Sequence, residues 1–144
     1  DYFFWYPALW SPSLGDKTKF PKPLSSHAKF VEGTAKRLAR TLFFKMMFYQ
    51  QKFVQKQNIL NRFVDIGTDL FAISSACSYA ASLYKKDGEK NSLELADLFC
   101  RCARARIARR FKEISRNDDK LSYSIAKSLL SGDYEWIEND IIKE

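Results

Sequence analysis

The distribution of proline constrains this chain more than any other feature of its sequence. All four prolines, Pro7, Pro12, Pro21 and Pro23, lie at the N-terminal end of a chain of 144 residues. Proline breaks a helix because it lacks the backbone N–H and its ring clashes with the preceding turn. The long proline-free remainder, which has few glycines, therefore predicts an all-α body.

Length and composition are those of one globular domain. Hydrophobic residues make up 46% of the chain, which is enough for a core at this length. The net charge of +7 fits nucleic acid, an anionic membrane surface or an acidic partner, and it equally fits a charge that serves only solubility. The three cysteines are an odd number without a regular framework, so we expect reduced thiols and a cytoplasmic chain.

An aromatic, proline-rich lead precedes the proline-free body. Its large rings are Tyr2, Phe3, Phe4, Trp5, Tyr6 and Trp10. An isolated loop seldom exposes so many rings, so we expect the lead to pack on this domain or on another one. We therefore predict two segments, a linker over residues 1–25 and a helical-bundle domain over residues 26–144.

Hydrophobic periodicity predicts a first helix from about residue 25 to residue 53 and a second over residues 57–85. The predicted inner face of the first consists of Phe30, Leu38, Leu42, Met46 and Tyr49. The i, i+3, i+4, i+7 pattern of the second comprises Leu60, Phe63, Val64, Gly67, Leu70, Phe71, Ser74 and Cys77. Gly88 is expected to end the second helix, and Gly67 is expected to let another helix approach closely.

A third helix is predicted over residues 91–114 and a fourth over residues 118–131. The predicted inner face of the third consists of Leu95, Leu98, Phe99, Cys102, Ile107 and Phe111. In the acidic tail that follows, Trp136 and Ile137 predict that the tail docks back on the domain. Four helices with short connections predict an up-down four-helix bundle with an extended N-terminal lead.

No pattern in the sequence provides a catalytic or metal site. The single histidine, His27, is interpreted as a capping or surface residue, because a metal site needs several ligands. Cys100 and Cys102 project about 200° apart on a helix and cannot hold one ion together. Asp65 and Asp69 share a helix face, and we expect them to pair with basic residues of a neighbouring helix rather than to act as acid and base.

A run of arginines in the third predicted helix is the strongest candidate for a contact with an anion or a partner. The run comprises Arg101, Arg104, Arg106, Arg109 and Arg110. Because arginine binds phosphate groups bidentately, nucleic acid, anionic lipid and a nucleotide are candidate ligands. The alternative is a solvated or salt-bridged helix face, for which the acidic tail would supply counter-charges.

The sequence shows neither a transmembrane segment nor a signal peptide. Lys, Arg or Asp interrupts every apolar stretch before it reaches the length of a membrane span. Residues 1–7 lack a basic start and a long apolar run. The chain also lacks an initiator Met, so we expect it to be a piece of a larger protein, located in the cytoplasm and peripheral to the membrane at most.

Four segments occur together in an order that is typical of one known family. The most informative is Lys56–Ala72, in the second predicted helix. The other three are Arg37–Arg40 with Phe43 and Met46, Glu94–Arg101 with Arg104, and Gly132–Trp136. These segments resemble the extra C-terminal helical domain of the larger acyl-CoA dehydrogenases, which include very-long-chain enzymes and their bacterial relatives. The lead around Trp5–Pro7 resembles the linker into that domain.

This resemblance implies a parent protein that oxidises acyl-CoA thioesters to trans-2-enoyl-CoA in fatty-acid β-oxidation. It implies FAD, a glutamate base and an electron-transfer flavoprotein as acceptor, all in parts that precede this region in the family. We therefore assign no catalytic, cofactor-binding or metal residue to this chain. The implied role is packing on the catalytic domain, homo-oligomer assembly and, in some relatives, membrane contact.

Two other functions stay open from the residues alone. One is a stand-alone basic helical module that binds nucleic acid or anionic lipid, with nucleic acid the less favoured ligand. It rests on the arginine run and the net charge. The other is a pure interaction or dimerisation bundle, which the sequence neither supports nor excludes.

Overall fold

A computed structural model describes residues 20–53 and 56–139. Within these ranges the chain has no strand, and its helices are α1 Leu24–Tyr49, α2 Gln57–Asp87, α3 Lys90–Ser115, α4 Asp119–Leu130 and α5 Glu135–Asn139. A 3₁₀ helix, Gln50–Phe53, directly follows α1. The all-α prediction is confirmed, and each of the four predicted helices is present. Most of the predicted lead, residues 1–19, lies outside the described residues.

The chain divides into two compact units, Asp1–Ile114 and Ser115–Glu144. In the first unit α1, α2 and α3 pack as a bundle in up-down order. Asp65 and Asp69 of α2 contact Arg110 and Arg106 of α3, respectively, so the two helices run antiparallel. α1 also packs against α2.

A glycine in the left-handed region separates α2 from α3. Gly88 has a φ of +71°, and its N–H donates to the carbonyl oxygen of Tyr84 at 3.1 Å. This backbone conformation costs little for glycine and strains a residue with a Cβ. The turn therefore reverses the chain over two residues, and the predicted end of the second helix is confirmed.

The core of the first unit lies between the facing sides of α2 and α3. α2 buries Ile59, Phe63, Ile66, Leu70, Ile73, Cys77 and Ala80. α3 buries Leu93, Ala96, Cys100, Ala103, Ile107, Phe111 and Ile114. α1 covers this core with Leu24 and with the partly buried Phe30, Val31, Leu38, Leu42 and Tyr49. The predicted face of α1 is thus confirmed except at Met46, which is exposed.

The predicted inner face of α3 is wrong over its N-terminal half. Leu95 and Leu98 are 71% and 60% exposed, and Phe99 and Cys102 are exposed as well. Small residues such as Ala96, Cys100 and Ala103 line the buried side of this half instead. Ile107 and Phe111, in the C-terminal half, are buried as predicted.

The face predicted for α2 is also partly wrong. Phe63, Leu70 and Cys77 are buried, but Val64 and Phe71 are exposed to solvent. The predicted close approach at Gly67 is wrong too, because a Cβ added there would meet no atom within 4 Å. The buried stripe of α2 instead runs through Ile59, Ile66 and Ile73, with Phe63, Leu70 and Cys77 beside them.

The second unit contains α4 and α5, joined by a turn at Gly132 with a φ of +89°. The N–H of Asp133 donates to the carbonyl oxygen of Ser128 at 3.0 Å and closes α4. None of the side chains of α4 is buried. Trp136 and Ile137 in α5 are 64% and 41% exposed within this structure. Docking of the tail on the domain stays a prediction.

Candidate functional site

The two aspartates singled out on the second helix form ion pairs with α3. Arg106 Nη2 lies 2.6 Å from Asp69 Oδ1, and its Nε lies 3.2 Å from the same oxygen. Arg110 Nη2 lies 3.1 Å from Asp65 Oδ2. The predicted pairing with basic residues of a neighbouring helix is confirmed. Asp69 raises the pKa of Arg106 by accepting its hydrogen bonds, so this guanidinium stays charged.

A network of arginines around Glu113 extends these ion pairs. Arg110 Nη1 lies 3.0 Å from Glu113 Oε2, and Arg109 Nε lies 3.7 Å from Glu113 Oε1. Arg62 of α2 completes the network at 4.0 Å from the same carboxylate. Four basic side chains thus face three acidic ones, Asp65 and Asp69 included, along one side of α2 and α3, which leaves one net positive charge.

The remaining arginines of the run also contact groups of this chain. Arg101 Nε donates to Asp97 Oδ2 at 2.8 Å. The Arg104 guanidinium lies 4.4 Å above the ring of Phe30 on α1, a cation–π contact. Every arginine of the run therefore has a partner within the first unit. Arg101 and Arg109 keep the most exposed side chains, at 70% and 64%. A contact of the run with an external anion stays a prediction.

His27 is buried where α1 meets α3, so its interpretation as a capping or surface residue is wrong. The residue is 1% exposed, and its Nε2 lies 2.8 Å from Asp97 Oδ1 on α3. Its Nδ1 lies 3.3 Å from Arg104 Nη1. Since arginine only donates, Nδ1 accepts and Nε2 carries the proton that Asp97 accepts. The hydrogen bond from His27, with those from Arg101, lowers the pKa of Asp97 below its usual value.

One signal in the sequence does place His27 inward. Leu24, His27 and Thr34 are the buried residues of α1, and their spacings of three and seven define one side of a helix. The acidic partner carries no comparable signal, because Asp97 lies 70 residues further along the chain. The sequence pattern can therefore show that His27 faces inward, but it cannot identify Asp97 as its hydrogen-bond partner.

Two buried thiols meet across α2 and α3. The Sγ atoms of Cys77 and Cys100 are 3.7 Å apart, and both residues are buried. Burial, reinforced by the neighbouring Cys100, raises the pKa of Cys77 to about 12. Burial also raises the pKa of Cys100. Cys102 is exposed, so the predicted divergence of Cys100 and Cys102 is confirmed, and the buried pair serves as apolar core.

Two of the places where the first unit exposes apolar side chains lie on α1 and α3. The C-terminal part of α1 forms a shallow groove lined by Thr41, Phe44, Lys45, Met47 and Phe48. Phe48 and Met47 are 79% and 60% exposed there. The second place is on α3, where Leu95 and Leu98 face away from the core. Exposed apolar surface of this kind is typical of contacts with other protein or with lipid.

The described parts of the chain offer no metal site and no membrane span. Between residues 20 and 53 and between 56 and 139, no three His, Cys, Asp or Glu side chains are placed to hold a metal ion. Over the same residues, no helix is both long enough and apolar enough to cross a bilayer.

The first unit is thus a helical bundle with internally paired charges and exposed apolar side chains. Comparison with known protein families identifies the family to which this chain belongs. Residues 22–133 match the family described as "ACAD9/ACADV, C-terminal domain", and the chain belongs to that family.

Individual relatives agree with this assignment. The chain is 38% identical over 124 residues to the probable acyl-CoA dehydrogenase FadE10 of Mycobacterium bovis, and equally to that of Mycobacterium tuberculosis. The match covers 84% of this chain but only 19% of each relative, so the chain spans about a fifth of their length. No solved structure matches the chain.

Proposed function

We propose that this chain is the C-terminal accessory domain of an FAD-dependent acyl-CoA dehydrogenase, which converts acyl-CoA to trans-2-enoyl-CoA. The observation that carries the proposal is the family match over residues 22–133. The similarity to relatives named as acyl-CoA dehydrogenases supports it. The domain itself contributes packing and assembly, with residues 1–25 as linker and residues 26–144 as the packed domain.

The described residues do not fit FAD. A flavin needs an enclosing pocket for its ring system and free donors for its diphosphate. The groove on α1 is lined by five residues of a single helix and encloses nothing. The arginines that could hold a diphosphate contact carboxylates or His27 instead. We assign the flavin, the glutamate base and the contact with an electron-transfer flavoprotein to the catalytic domain of the parent protein.

The sequence encoded before residue 1 tests this proposal most directly. We expect it to encode the flavin-binding and catalytic domains of an acyl-CoA dehydrogenase. The purified parent protein should hold one FAD per chain and reduce an electron-transfer flavoprotein when an acyl-CoA is added. The 144-residue chain alone should be colourless. An upstream sequence without a dehydrogenase domain, or flavin bound stoichiometrically by this chain alone, contradicts the proposal.

Peripheral membrane contact is the finer part of the proposal, and we assign it to the end of α1. Phe44, Met47 and Phe48 expose apolar surface there, and Lys45 lines the same groove. Lys52, in the 3₁₀ helix, is exposed just beyond it. Aromatic and apolar side chains flanked by lysines are the composition of helices that lie on anionic membranes.

Flotation with vesicles tests the membrane contact. We expect the chain to float with vesicles of phosphatidylcholine and phosphatidylglycerol, and to float less with phosphatidylcholine alone. Phe48→Glu should abolish flotation because it places a charge on the most exposed ring. Leu95→Glu, an equally exposed apolar residue on α3, is the matched control and should float like the wild type. Equal flotation of the wild type and Phe48→Glu contradicts the assignment.

The alternative, a stand-alone basic module that binds nucleic acid or anionic lipid through the arginine run, has less support. Arg106 and Arg110 are engaged by Asp69 and Asp65, which lowers the charge that the run offers to a phosphate. Such binding would fall steeply with added salt, because phosphate contacts release counterions. Loss of salt-sensitive binding in the triple variant Arg106→Ala, Arg109→Ala, Arg110→Ala would favour this alternative.

A further inference from the structure

Four side chains link the start of α1 to α3, and one of them is a histidine. His27 Nε2 lies 2.8 Å from Asp97 Oδ1, and His27 Nδ1 lies 3.3 Å from Arg104 Nη1. The Arg104 guanidinium also lies 4.4 Å above the ring of Phe30. We call these four residues the α1–α3 junction. Histidine side chains in general gain or lose a proton between about pH 5 and about pH 8, so the charge of such a junction can change.

Both ring nitrogens of His27 have partners, and the two nitrogens play opposite roles. Nε2 donates to the Asp97 carboxylate, whereas Nδ1 accepts from the Arg104 guanidinium, which has no acceptor of its own. This arrangement requires a neutral imidazole, because an imidazolium donates from both nitrogens. His27 is 1% exposed, so its partners come from the protein rather than from solvent. The structure therefore corresponds to the neutral state of His27.

A proton on Nδ1 and the guanidinium of Arg104 exclude each other. Protonation would direct an N–H at Arg104, so two donors, both positively charged, would face each other at 3.3 Å. Like charges at this distance repel more strongly in a partly buried site than in water. Asp97 would keep its contact, because an imidazolium is a stronger donor to a carboxylate than an imidazole is. The group that has to move is therefore Arg104.

The other ionisable groups near this contact leave the competition unchanged. Arg101 Nε donates to Asp97 Oδ2 at 2.8 Å, which is the carboxylate oxygen that His27 does not use. Burial, with a smaller contribution from Asp97, raises the pKa of the Cys77 thiol of α2 to about 12, so this thiol stays neutral. Burial also raises the pKa of the Cys100 thiol of α3. The occupant of Nδ1 is therefore either a proton or the guanidinium.

We propose that the α1–α3 junction is a pH-dependent switch, in which a proton on Nδ1 of His27 displaces Arg104 and loss of that proton restores the contact. In the neutral state Arg104 lies against both His27 and Phe30 and links α1 to α3. In the protonated state the guanidinium enters solvent, the Phe30 ring loses its contact, and Asp97 alone holds His27. The inference uses contacts within the first unit only, so it does not rest on the proposed parent enzyme.

A second cation–π contact between the same two helices involves no histidine. The Arg37 guanidinium of α1 lies 4.2 Å above the ring of Phe111 of α3. This contact is present in both charge states of the junction and keeps the two helices together. The change is thus local to the start of α1. It should be seen at Arg104 and Phe30 but not at Arg37 and Phe111.

Nuclear magnetic resonance of the whole chain tests the proposal, because His27 is the single histidine of the sequence. Its ring signals can be followed without ambiguity from about pH 8 to about pH 5. At the upper end, the ring current of Phe30 should shift the side-chain proton signals of Arg104 upfield. We expect this upfield shift to disappear with the same midpoint as the titration of the His27 ring. The signals of Arg37, above Phe111, are the matched control and should stay shifted throughout.

Three variants separate the charge of Arg104 from its packing. Arg104→Met fills similar space without a charge or a donor, so His27 should take up its proton at a higher pH than in the wild type. Arg104→Lys keeps the charge and should stay closer to the wild type. Arg37→Met removes a comparable contact elsewhere and should leave the His27 titration unchanged. Circular dichroism at about pH 8 should show the wild-type helix content in all three.

Three results would each overturn the proposal. Ring signals of His27 that stay constant until the chain unfolds would show that no proton reaches Nδ1 in the folded state. An upfield shift of Arg104 that persists while His27 titrates would show that the two groups do not exclude each other. A titration of His27 in Arg104→Met with the midpoint of the wild type would show that the guanidinium does not oppose the proton.

Discussion

His27 and Asp97 lie 70 residues apart in the chain, yet the ring Nε2 of one and the carboxylate Oδ1 of the other are 2.8 Å apart. This hydrogen bond joins the first turn of α1 to the N-terminal part of α3. His27 is buried, so loss of its partner leaves a polar atom without a hydrogen bond in the interior. We expect Asp97→Ala to lower the free energy of unfolding by about 1–3 kcal/mol, measured by urea denaturation. Glu94→Ala, an exposed carboxylate on the same helix, should have little effect.

The lowered pKa of Asp97 predicts how stability depends on pH. A carboxylate whose pKa is lower in the folded chain stabilises the fold above its ordinary pKa of about 3.9. The contribution is lost as the pH falls through the lower, folded value. On acidification the wild type should therefore lose more of its free energy of unfolding than Asp97→Asn does. The two curves of unfolding free energy against pH should converge at low pH. Parallel curves from pH 7 to pH 2 would show that this carboxylate does not contribute.

The ion pair between Asp69 and Arg106 is partly exposed, so its contribution should be small. The side chains are 17% and 43% exposed, and such pairs contribute about 0.5–1 kcal/mol. We expect a double-mutant cycle with Asp69→Asn and Arg106→Gln to give a coupling energy in this range at low salt. The coupling should shrink in 1 M salt, where charges are screened. A coupling that salt leaves unchanged would indicate packing rather than charge.

The three cysteines should differ sharply in reactivity. A thiolate is the reactive form, and burial raises the pKa of Cys77 to about 12 and also raises that of Cys100. At pH 8 a disulfide reagent should therefore modify Cys102 alone in the folded chain. All three thiols should react once the chain is unfolded. Rapid modification of Cys102→Ser in the folded state would contradict the burial of the other two.

Two residues of α3 distinguish the buried face seen in the structure from the buried face predicted from the sequence. Ile107 is 1% exposed and Leu98 is 60% exposed. Ile107→Ala should cost about 2–4 kcal/mol of stability, because it leaves a cavity between α2 and α3. Leu98→Ala should cost less than about 0.5 kcal/mol. Thermal unfolding of the two variants gives this ranking directly, and the reverse ranking would restore the face that the sequence predicts.

Residue pattern alone predicts the helices of this chain well, because proline and glycine mark their limits. Gly88 ends α2 with a positive φ, and the proline-free body is helical as expected. The residue pattern does not predict which side of α3 is buried. Hydrophobicity ranks Leu95 and Leu98 above Ala96 and Ala103, but the two alanines are buried and the two leucines are exposed.

The charged residues show the same limit in another form. Periodicity places Asp65 and Asp69 on one side of α2, and the expectation of basic partners on another helix follows from that. The partner of His27 depends on how α1 lies on α3, which is decided by packing between distant segments rather than by local pattern. Buried polar pairs of this kind need the three-dimensional arrangement before they can be assigned.

The contacts of Leu24 and His27 at the start of α1 determine how the domain responds to a pulling force. Leu24 is fully buried and His27 hydrogen-bonds to α3, so the chain is anchored within the first turn after Pro23. A force applied to the chain before Phe20 would be transmitted to α3 through the hydrogen bond between His27 and Asp97, instead of unwinding α1 from its N-terminal end. α1 and α3 would then resist a pulling force together rather than one after the other.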